Sequence, residues 1–357
     1  MSDTAILQDI LGKARWAPSG DNTQPWRFEI LGPQHVAVHG SDTRAHCVYD
    51  LDGHPSQVSH GALLETMAIA ASVHGLRADA ARRADSPDTH PVYDVRFVPD
   101  PAIRPSPLAA AIETRSVHRR KLQTRPLTAQ EKAALEASVG PGYSVRWFES
   151  FGARVQAARL MFDNARVRLT MPEAYRTHYD IIDWDATHSE ERVPDQALGV
   201  NNGTLRMMKW AMVSWDRLSK MNTVMGTWGP RMEMDMVPGI ACAAHFVIKA
   251  DKAPEAIDDY VAAGRAVQRF WLTLTTLGLR MQPEMTPLIF ARYLRKDTHF
   301  TSAAKVRAAA ERLVPQLRAL IGDDVAHAVF IGRLGAGDPY DPRHPRSHRK
   351  TLTRLMK

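Results

Sequence analysis

Apolar positions along the chain switch between two periods. Over residues 5–15, Ile6, Ile10 and Leu11 recur at helical spacing, and the pattern stops at Pro18 and Gly20. From Trp26 to Val38, Phe28, Ile30, Val36 and Val38 alternate with polar or small residues, the pattern of a β-hairpin turned at Gly32 and Pro33. A long helix is predicted over 59–74 and a strand over 93–98, and the proline-rich stretch 99–107 reads as a linker. Beyond it the spacing predicts helices over 108–114, 128–138 and 153–169, with a strand over 144–148. Thr128 stands three residues ahead of Glu131, the spacing of a capping box. Residues 172–238 are rich in Met and Trp and keep no clean period, so they are predicted irregular. The regular pattern resumes with an apolar strand over 241–248, helices over 257–277 and 302–320, and a strand over 328–331.

Two of these helices carry one buried stripe. GALLETMAIAASVHGLRA begins at Gly61 and GRAVQRFWLTLTTLGLRM at Gly264, and both reach Gly-Leu-Arg at the same distance from the opening glycine. At a constant offset Leu64, Met67, Ala68 and Ala71 match Val267, Phe270, Trp271 and Leu274. LGKARWAPSGDNTQPWRFEI, from Leu11, has a weaker counterpart in LEASVGPGYSVRWFES, from Leu135. A duplicated unit whose copies pack like the subunits of a homodimer accounts for both matches. The alternative is that any two buried helices closing on Gly-Leu look alike. The duplication divides the chain into halves over 1–105 and 106–357, with 172–238 as an insertion able to cover a site as a lid.

Length and composition fit a globular protein with ample core: 357 residues, 44% hydrophobic and 24% charged. No run approaches the ~18 apolar residues of a membrane span, and the opening residues lack a signal-peptide pattern. Only Cys47 and Cys242 are present, which suits a reducing compartment, so a cytoplasmic location and no membrane partner are expected. The net charge of +7 is concentrated in arginine-rich patches. No nucleic-acid-binding signature accompanies it, so an anionic small molecule is the expected partner and nucleic acid is not.

The segment APSGDNTQPWRF, from Ala17, crowds short polar side chains and free backbone groups into one turn before a strand. Such a turn grips a planar heterocycle through Ser and Asn, or is an ordinary capped loop. PSGDNTQPW is similar to the Pro-Ser-x-x-Asn-x-Gln-Pro-Trp signature of the FMN-dependent nitroreductase superfamily. That resemblance implies that Ser19 and Asn22 contact an FMN held by the other half, with Pro18 lining the same wall and Gln24 completing the signature.

IETRSVHRRKLQTRPLTAQE, from Ile112, gathers cations at a density that suits a phosphate or a solvated basic face. It resembles the family's Arg-Arg-Ser-x-Arg motif for the FMN phosphate. Arg115 and Ser116 match it. Thr114 stands where the first Arg is expected and His118 where a Lys or Arg is common, with Arg119 substituting from one position along. The C-terminal LGAGDPYDPRHPRSHRK resembles the family's glycine-then-basic ending, which implies phosphate contacts from Arg343 and Arg346, with Arg349 in the same run. Its glycines lack the GxGxxG order of a dinucleotide loop. In LGLRMQPEMTP, after the second repeat helix, the family places backbone N–H groups near flavin N5, and Glu284 is carried over to that region.

His178, Asp180, Asp183, Asp185 and His188 match no metal-ligand spacing, and no G-x-S-x-G elbow marks a nucleophile, so neither a metal nor a hydrolase triad is expected. The resemblance implies an α+β, nitroreductase-like fold, with a central, mainly antiparallel sheet wrapped by helices and two fused halves forming a pseudo-dimer, able to act as a monomer. It implies an FMN-dependent reductase taking hydride from NADH or NADPH and passing two electrons to a small-molecule acceptor such as a nitroaromatic or quinone. The flavin carries that chemistry, so no catalytic side chain is required. A flavin-sequestering or flavin-free, non-catalytic protein is the alternative.

Overall fold

A computed structural model describes residues 3–357. The chain opens with helix α1 (Asp3–Ala14), strands β1 (Trp26–Gly32) and β2 (His35–Gly40), helix α2 (His54–Ser72), and strands β3 (Leu76–Arg82) and β4 (Val92–Pro99). These strands form an antiparallel sheet in the order β1-β2-β4-β3. A second group begins with α3 (Ala129–Ser138) and β5 (Tyr143–Phe148). It is interrupted by α4 (Phe151–Thr170), α5 (Pro172–Ile181), α6 (Asn202–Ala211) and α7 (Trp215–Met225), and resumes with β6 (Ala244–Ala250), α8 (Ile257–Thr276) and β7 (Leu279–Pro283). Three further helices, α9 (Thr286–Arg295), α10 (Ala304–Glu311) and α11 (Leu313–Ile321), precede β8 (Ala328–Ala336). Its sheet, also antiparallel, runs β5-β6-β8-β7.

The fold is α+β and mainly antiparallel, as the sequence predicts, but it has two four-stranded sheets where a single central sheet was expected. Both follow helix-strand-strand-helix-strand-strand, with the same neighbour order in space. Helix α2 packs on the first sheet, α8 on the second, and the two helices on each other. Each ends at a left-handed glycine, Gly75 (φ +68°) or Gly278 (φ +72°), a backbone region that favours glycine. The two groups also exchange ends. Lys357 N–H donates to the Phe28 carbonyl of β1 (2.8 Å), and Val117 bridges to Met281 of β7.

Where α2 and α8 cross, Gly61 meets Gly264 at backbone distance. A Cβ on Gly61 would lie 2.0 Å from the Val261 carbonyl oxygen, and one on Gly264 would lie 2.0 Å from that of Val58. Backbone cannot swing aside as a side chain does, so a methyl here must separate the helices. Gly264→Ala is expected to cost about 1–3 kcal/mol, the range for overpacking a core. Denaturant unfolding checks this, and an unchanged midpoint would show that the crossing can relax.

The capping box forms: Glu131 N–H donates to Thr128 Oγ1 (3.1 Å) and Thr128 N–H to Glu131 Oε2 (2.7 Å). Other expectations need correction. The helix expected over 108–114 is only a short 3₁₀ turn, Pro107–Ala111, and that over 302–320 breaks at Arg312 into α10 and α11. Residues 172–238 are largely helical. Each main helix is short and amphipathic, α5 and α6 of ten residues and α7 of eleven, and the loops between them reset the phase, so no single period runs through the segment. The strand β3, LRADAAR, has weak strand propensity and exists through its pairing with β4.

Candidate functional site

A cavity of about 480 Å³ opens between the two groups of elements. The turn 18–23, residues 115–117 and 119, the Met-rich helices α6 and α7, and the C-terminal residues 345–347 and 349 all line it. The structure thus gathers Pro18, Ser19, Asn22, Arg115, Ser116, Arg119 and Arg346 around one space, from segments far apart in the chain.

At one end sit three buried arginines: Arg115, Arg346 and Arg349, exposed by 2%, 6% and 7%. Their partners are carbonyls. Arg115 Nη2 donates to Trp16 (2.9 Å), Arg349 Nε to Ala17 (3.1 Å), and Arg346 Nη2 to Glu113 (2.8 Å). Arg115 also lies over the Trp271 ring at 4.5 Å, and Arg346 over Trp16 at 5.2 Å. Among the described residues none of the three has a carboxylate within ion-pair distance, and the Nε atoms of Arg115 and Arg346 are buried without any partner. Burial depresses all three; neighbouring guanidiniums add to it at Arg115 and at Arg349, which is brought down to about 9, while Tyr340 and Glu113 oppose it at Arg346. Buried positive charge without a counter-charge is costly, so the cradle is built for an anion with several acceptor oxygens. The donor set fits a phosphate monoester such as that of FMN.

The turn from Ser19 is strained: Asp21, Asn22 and Gln24 adopt φ of +50°, +62° and +51°. Side-chain bonds hold it. Ser19 Oγ accepts from Gln24 N–H (3.0 Å), Gln24 Nε2 donates to the carbonyls of Asn22 (2.9 Å) and Glu190 (2.8 Å), and Gln24 Oε1 accepts from Lys350 N–H (2.8 Å). Asn22 Nδ2 donates to the carbonyls of Glu190 (3.2 Å) and Arg192 (3.3 Å), which leaves Asn22 Oδ1 buried and without a partner. Residues 188–189 pair in turn with 346–347, so one strap ties the turn to the arginine-bearing tail.

Elsewhere on the wall Tyr49 and His178 meet, with the hydroxyl 2.9 Å from Nε2. Burial first, and Arg168 after it, hold His178 down at about 3, so a neutral ring shares this hydrogen bond with the Tyr49 hydroxyl. Asp235 is pushed up to about 6 by burial, which outweighs its ion pair with Arg168 (3.0 Å). Asp21 is likewise raised by burial, with Arg119 opposing the rise.

Four residues expected at the site do not line the cavity. Gln24 is the clamp just described. His118 turns toward its own loop, Nε2 lying 3.3 Å from the Lys121 carbonyl. Arg343 is exposed and paired with Asp341 (2.7 Å). Glu284 is buried in an ion triad, its two oxygens 2.8 Å from His245 Nδ1 and 2.7 Å from Arg333 Nη1. Asp21 and Tyr49 were not expected at the site, Trp271 was expected only on the buried stripe of its helix, and Arg349 only as part of the basic run. Arg349 was the legible one, standing three residues past Arg346 in the basic tail, but only burial separates it from the exposed Arg343.

No protein-family model and no characterised sequence matches the chain. Among solved structures it is similar to a nitroreductase-like family protein from Bacillus cereus, at 12% identity and TM-score 0.35, over 71% of this chain and 95% of that one. It is also similar to an iodotyrosine deiodinase solved with FMN and 3-iodo-L-tyrosine, at 12% identity and TM-score 0.33, over 67% of this chain and 94% of that one. A third is the FMN-dependent nitroreductase NfnB from Mycobacterium smegmatis, in complex with NADPH, at 14% identity and TM-score 0.33, over 64% of this chain and 86% of that one.

Proposed function

We propose that the chain binds FMN in this cavity and acts as a flavin-dependent oxidoreductase, taking hydride from NADH or NADPH and reducing a small-molecule acceptor such as a nitroaromatic or quinone. The observation that carries the reading is the cradle of Arg115, Arg346 and Arg349, buried without a counter-charge beside the Ser19–Asn22 turn. FMN, when bound, supplies the two-electron chemistry. The chain's own residues do the rest. The three arginines hold the phosphate, Ser19 and the unpartnered Oδ1 of Asn22 offer polar contacts to the ring system, and Arg119 adds positive charge to the wall. Met207, Met208, Met212 and Met221 close the cavity with flexible apolar side chains that exclude water while adapting to different acceptors.

In this reading the halves 1–105 and 106–357 are fused copies of one unit, and the site draws on both. The common strand order and the Gly61–Gly264 crossing support it. A single FMN per chain is expected. The counterpart of the first turn, after α3, is taken by Arg269, which donates to the carbonyls of Ser138 (3.0 Å) and Val139 (2.8 Å). Released flavin quantified against protein checks this, and two equivalents would overturn the single site. Two buried free cysteines, Cys47 and Cys242, suit a reducing, cytoplasmic setting. A visible flavin spectrum and NAD(P)H oxidation test the function: a coloured protein that oxidises neither nucleotide would be flavin-sequestering, and a protein that takes up no FMN would remove the reading altogether.

A further inference from the structure

Reduction of a quinone to a hydroquinone consumes a hydride and one further proton, and that proton must reach a cavity from which water is kept out. A second pocket, of about 160 Å³, adjoins the main cavity, and its rim includes the exposed His46, Glu191 and Arg192. Asp21, Thr23, Cys47 and Ile181 line both spaces and so form the partition between them. Of these four only Asp21 exchanges a proton near neutral pH. Thr23 and Ile181 carry no such group, and burial pushes the Cys47 thiol up to about 12.

Asp21 is also the unengaged carboxyl of the wall. Three carboxyls line the main cavity. Asp235 is paired with Arg168 (3.0 Å), and Asp50 accepts from the hydroxyls of Thr43 (2.8 Å) and Ser56 (2.6 Å). Among the described residues the Asp21 side chain has neither a hydrogen-bond nor an ion-pair partner. Its backbone is held in the left-handed region (φ +50°, ψ 22°) beside the Gln24 clamp, a strain that a turn of purely structural role has no need to carry. Charge reaches it from Arg119, from Arg168 on α4, and from Asp50, with Cys47 and Tyr49 close by. Burial outweighs the two arginines, so the carboxyl keeps its proton to higher pH than an ordinary Asp. It occupies an unspecified position of the Pro-Ser-x-x-Asn signature, so the family resemblance assigns it nothing.

We propose that Asp21 is the proton donor to the acceptor, supplied from solvent through the smaller pocket. This rests on the reading of the cavity as a flavin site. The hydride from NADH or NADPH brings the quinone two electrons and one proton. The second proton comes from Asp21, whose O–H bond breaks as an O–H bond forms on the acceptor oxygen. The carboxylate left behind is reprotonated by solvent on the side of the smaller pocket.

The test compares the wild type with Asp21→Asn and Asp235→Asn. Asparagine tolerates the left-handed region, so the turn is retained. In the flavin-free protein, a carboxyl raised by burial contributes stability that is full below its ordinary value of 3.8 and is lost as pH rises through its folded value. The wild type should show that loss, and Asp21→Asn should show less of it. In the FMN-loaded protein, Asp21→Asn should lower the rate of quinone reduction roughly 100-fold, the low end for a general acid, and remove its decline with rising pH. FMN affinity, and bleaching of the flavin by NADPH without an acceptor, should match the wild type. Asp235→Asn should keep the pH dependence. Thr177→Leu, which narrows the smaller pocket from α5 without reaching the main cavity, should slow the same reaction. Equal rates and pH profiles in wild type and Asp21→Asn overturn the proposal. So do an identical stability slope, loss of the pH dependence in Asp235→Asn instead, or a full rate in Thr177→Leu. A wild type that takes up no FMN fails earlier and differently, since it removes the cavity reading and this inference with it.

Discussion

Glu284→Ala is expected to lower the unfolding free energy by about 3–5 kcal/mol, the range for removing one partner of a buried ion pair. Glu284 answers two buried cations at once, His245 at 2.8 Å and Arg333 at 2.7 Å, and His245 is fully buried. Removing the carboxylate leaves both without a counter-charge. The triad also joins three elements: His245 on β6 reaches the Gly239 carbonyl at the end of the insertion (2.8 Å), Arg333 lies on β8, and Glu284 follows β7. Its pH signature is distinctive. Burial opposes protonation of His245, but the charge of Glu284, with its hydrogen bond and the neighbouring Cys242, outweighs it and raises the ring from 6.5 to about 10. A raised base stabilises the fold fully below its unfolded value, and that contribution fades as pH climbs through its folded value. The wild type should therefore lose stability between about pH 6.5 and pH 10, and Glu284→Ala should show little of that slope. Thermal and denaturant unfolding across this range decide it. A loss under about 1 kcal/mol with an unchanged slope would show that the triad does not hold these elements together.

Arg346→Gln is expected to weaken FMN binding about 10- to 100-fold, since one charge-assisted phosphate contact is worth about 1.5–3 kcal/mol. Riboflavin, which lacks the phosphate, should bind wild type and variant alike. The stability of the ligand-free protein should hold or rise, because the substitution removes a buried charge that has no counter-ion and an Nε without a partner. That combination separates a ligand-binding arginine from a structural one, whose loss would lower stability and leave the FMN-to-riboflavin ratio intact. Inorganic phosphate should stabilise the ligand-free wild type by about 2.7 kcal/mol at a hundred times its dissociation constant, and so raise its midpoint. Titration calorimetry and thermal melts on one preparation read all three effects. Equal FMN affinities in wild type and variant would remove the phosphate role.

Much of the fold is legible locally. The α2 and α8 stripes, their closing glycines, the β1–β2 hairpin and the Thr128–Glu131 box follow from spacing and turn chemistry, which act over a few residues. Where neighbours decide, reading fails. The strand β3 depends on β4, and the short insertion helices turn their apolar stripes toward a cavity that exists only once distant segments have met.

The candidate site divides the same way. Residue order by itself determined a polar turn at 18–24, a basic segment at 115–125 and a basic tail at 343–350, each a local concentration of one chemistry. Only the tertiary structure decided which of these groups meet. It buries Arg346 and Arg349 beside Arg115 while leaving Arg343 in solvent, and it turns Gln24 into a clamp and Glu284 into the counter-charge of a buried triad. The physical reason is that burial and charge pairing are set by groups hundreds of residues away, and no local period encodes whether an arginine will have a carboxylate beside it.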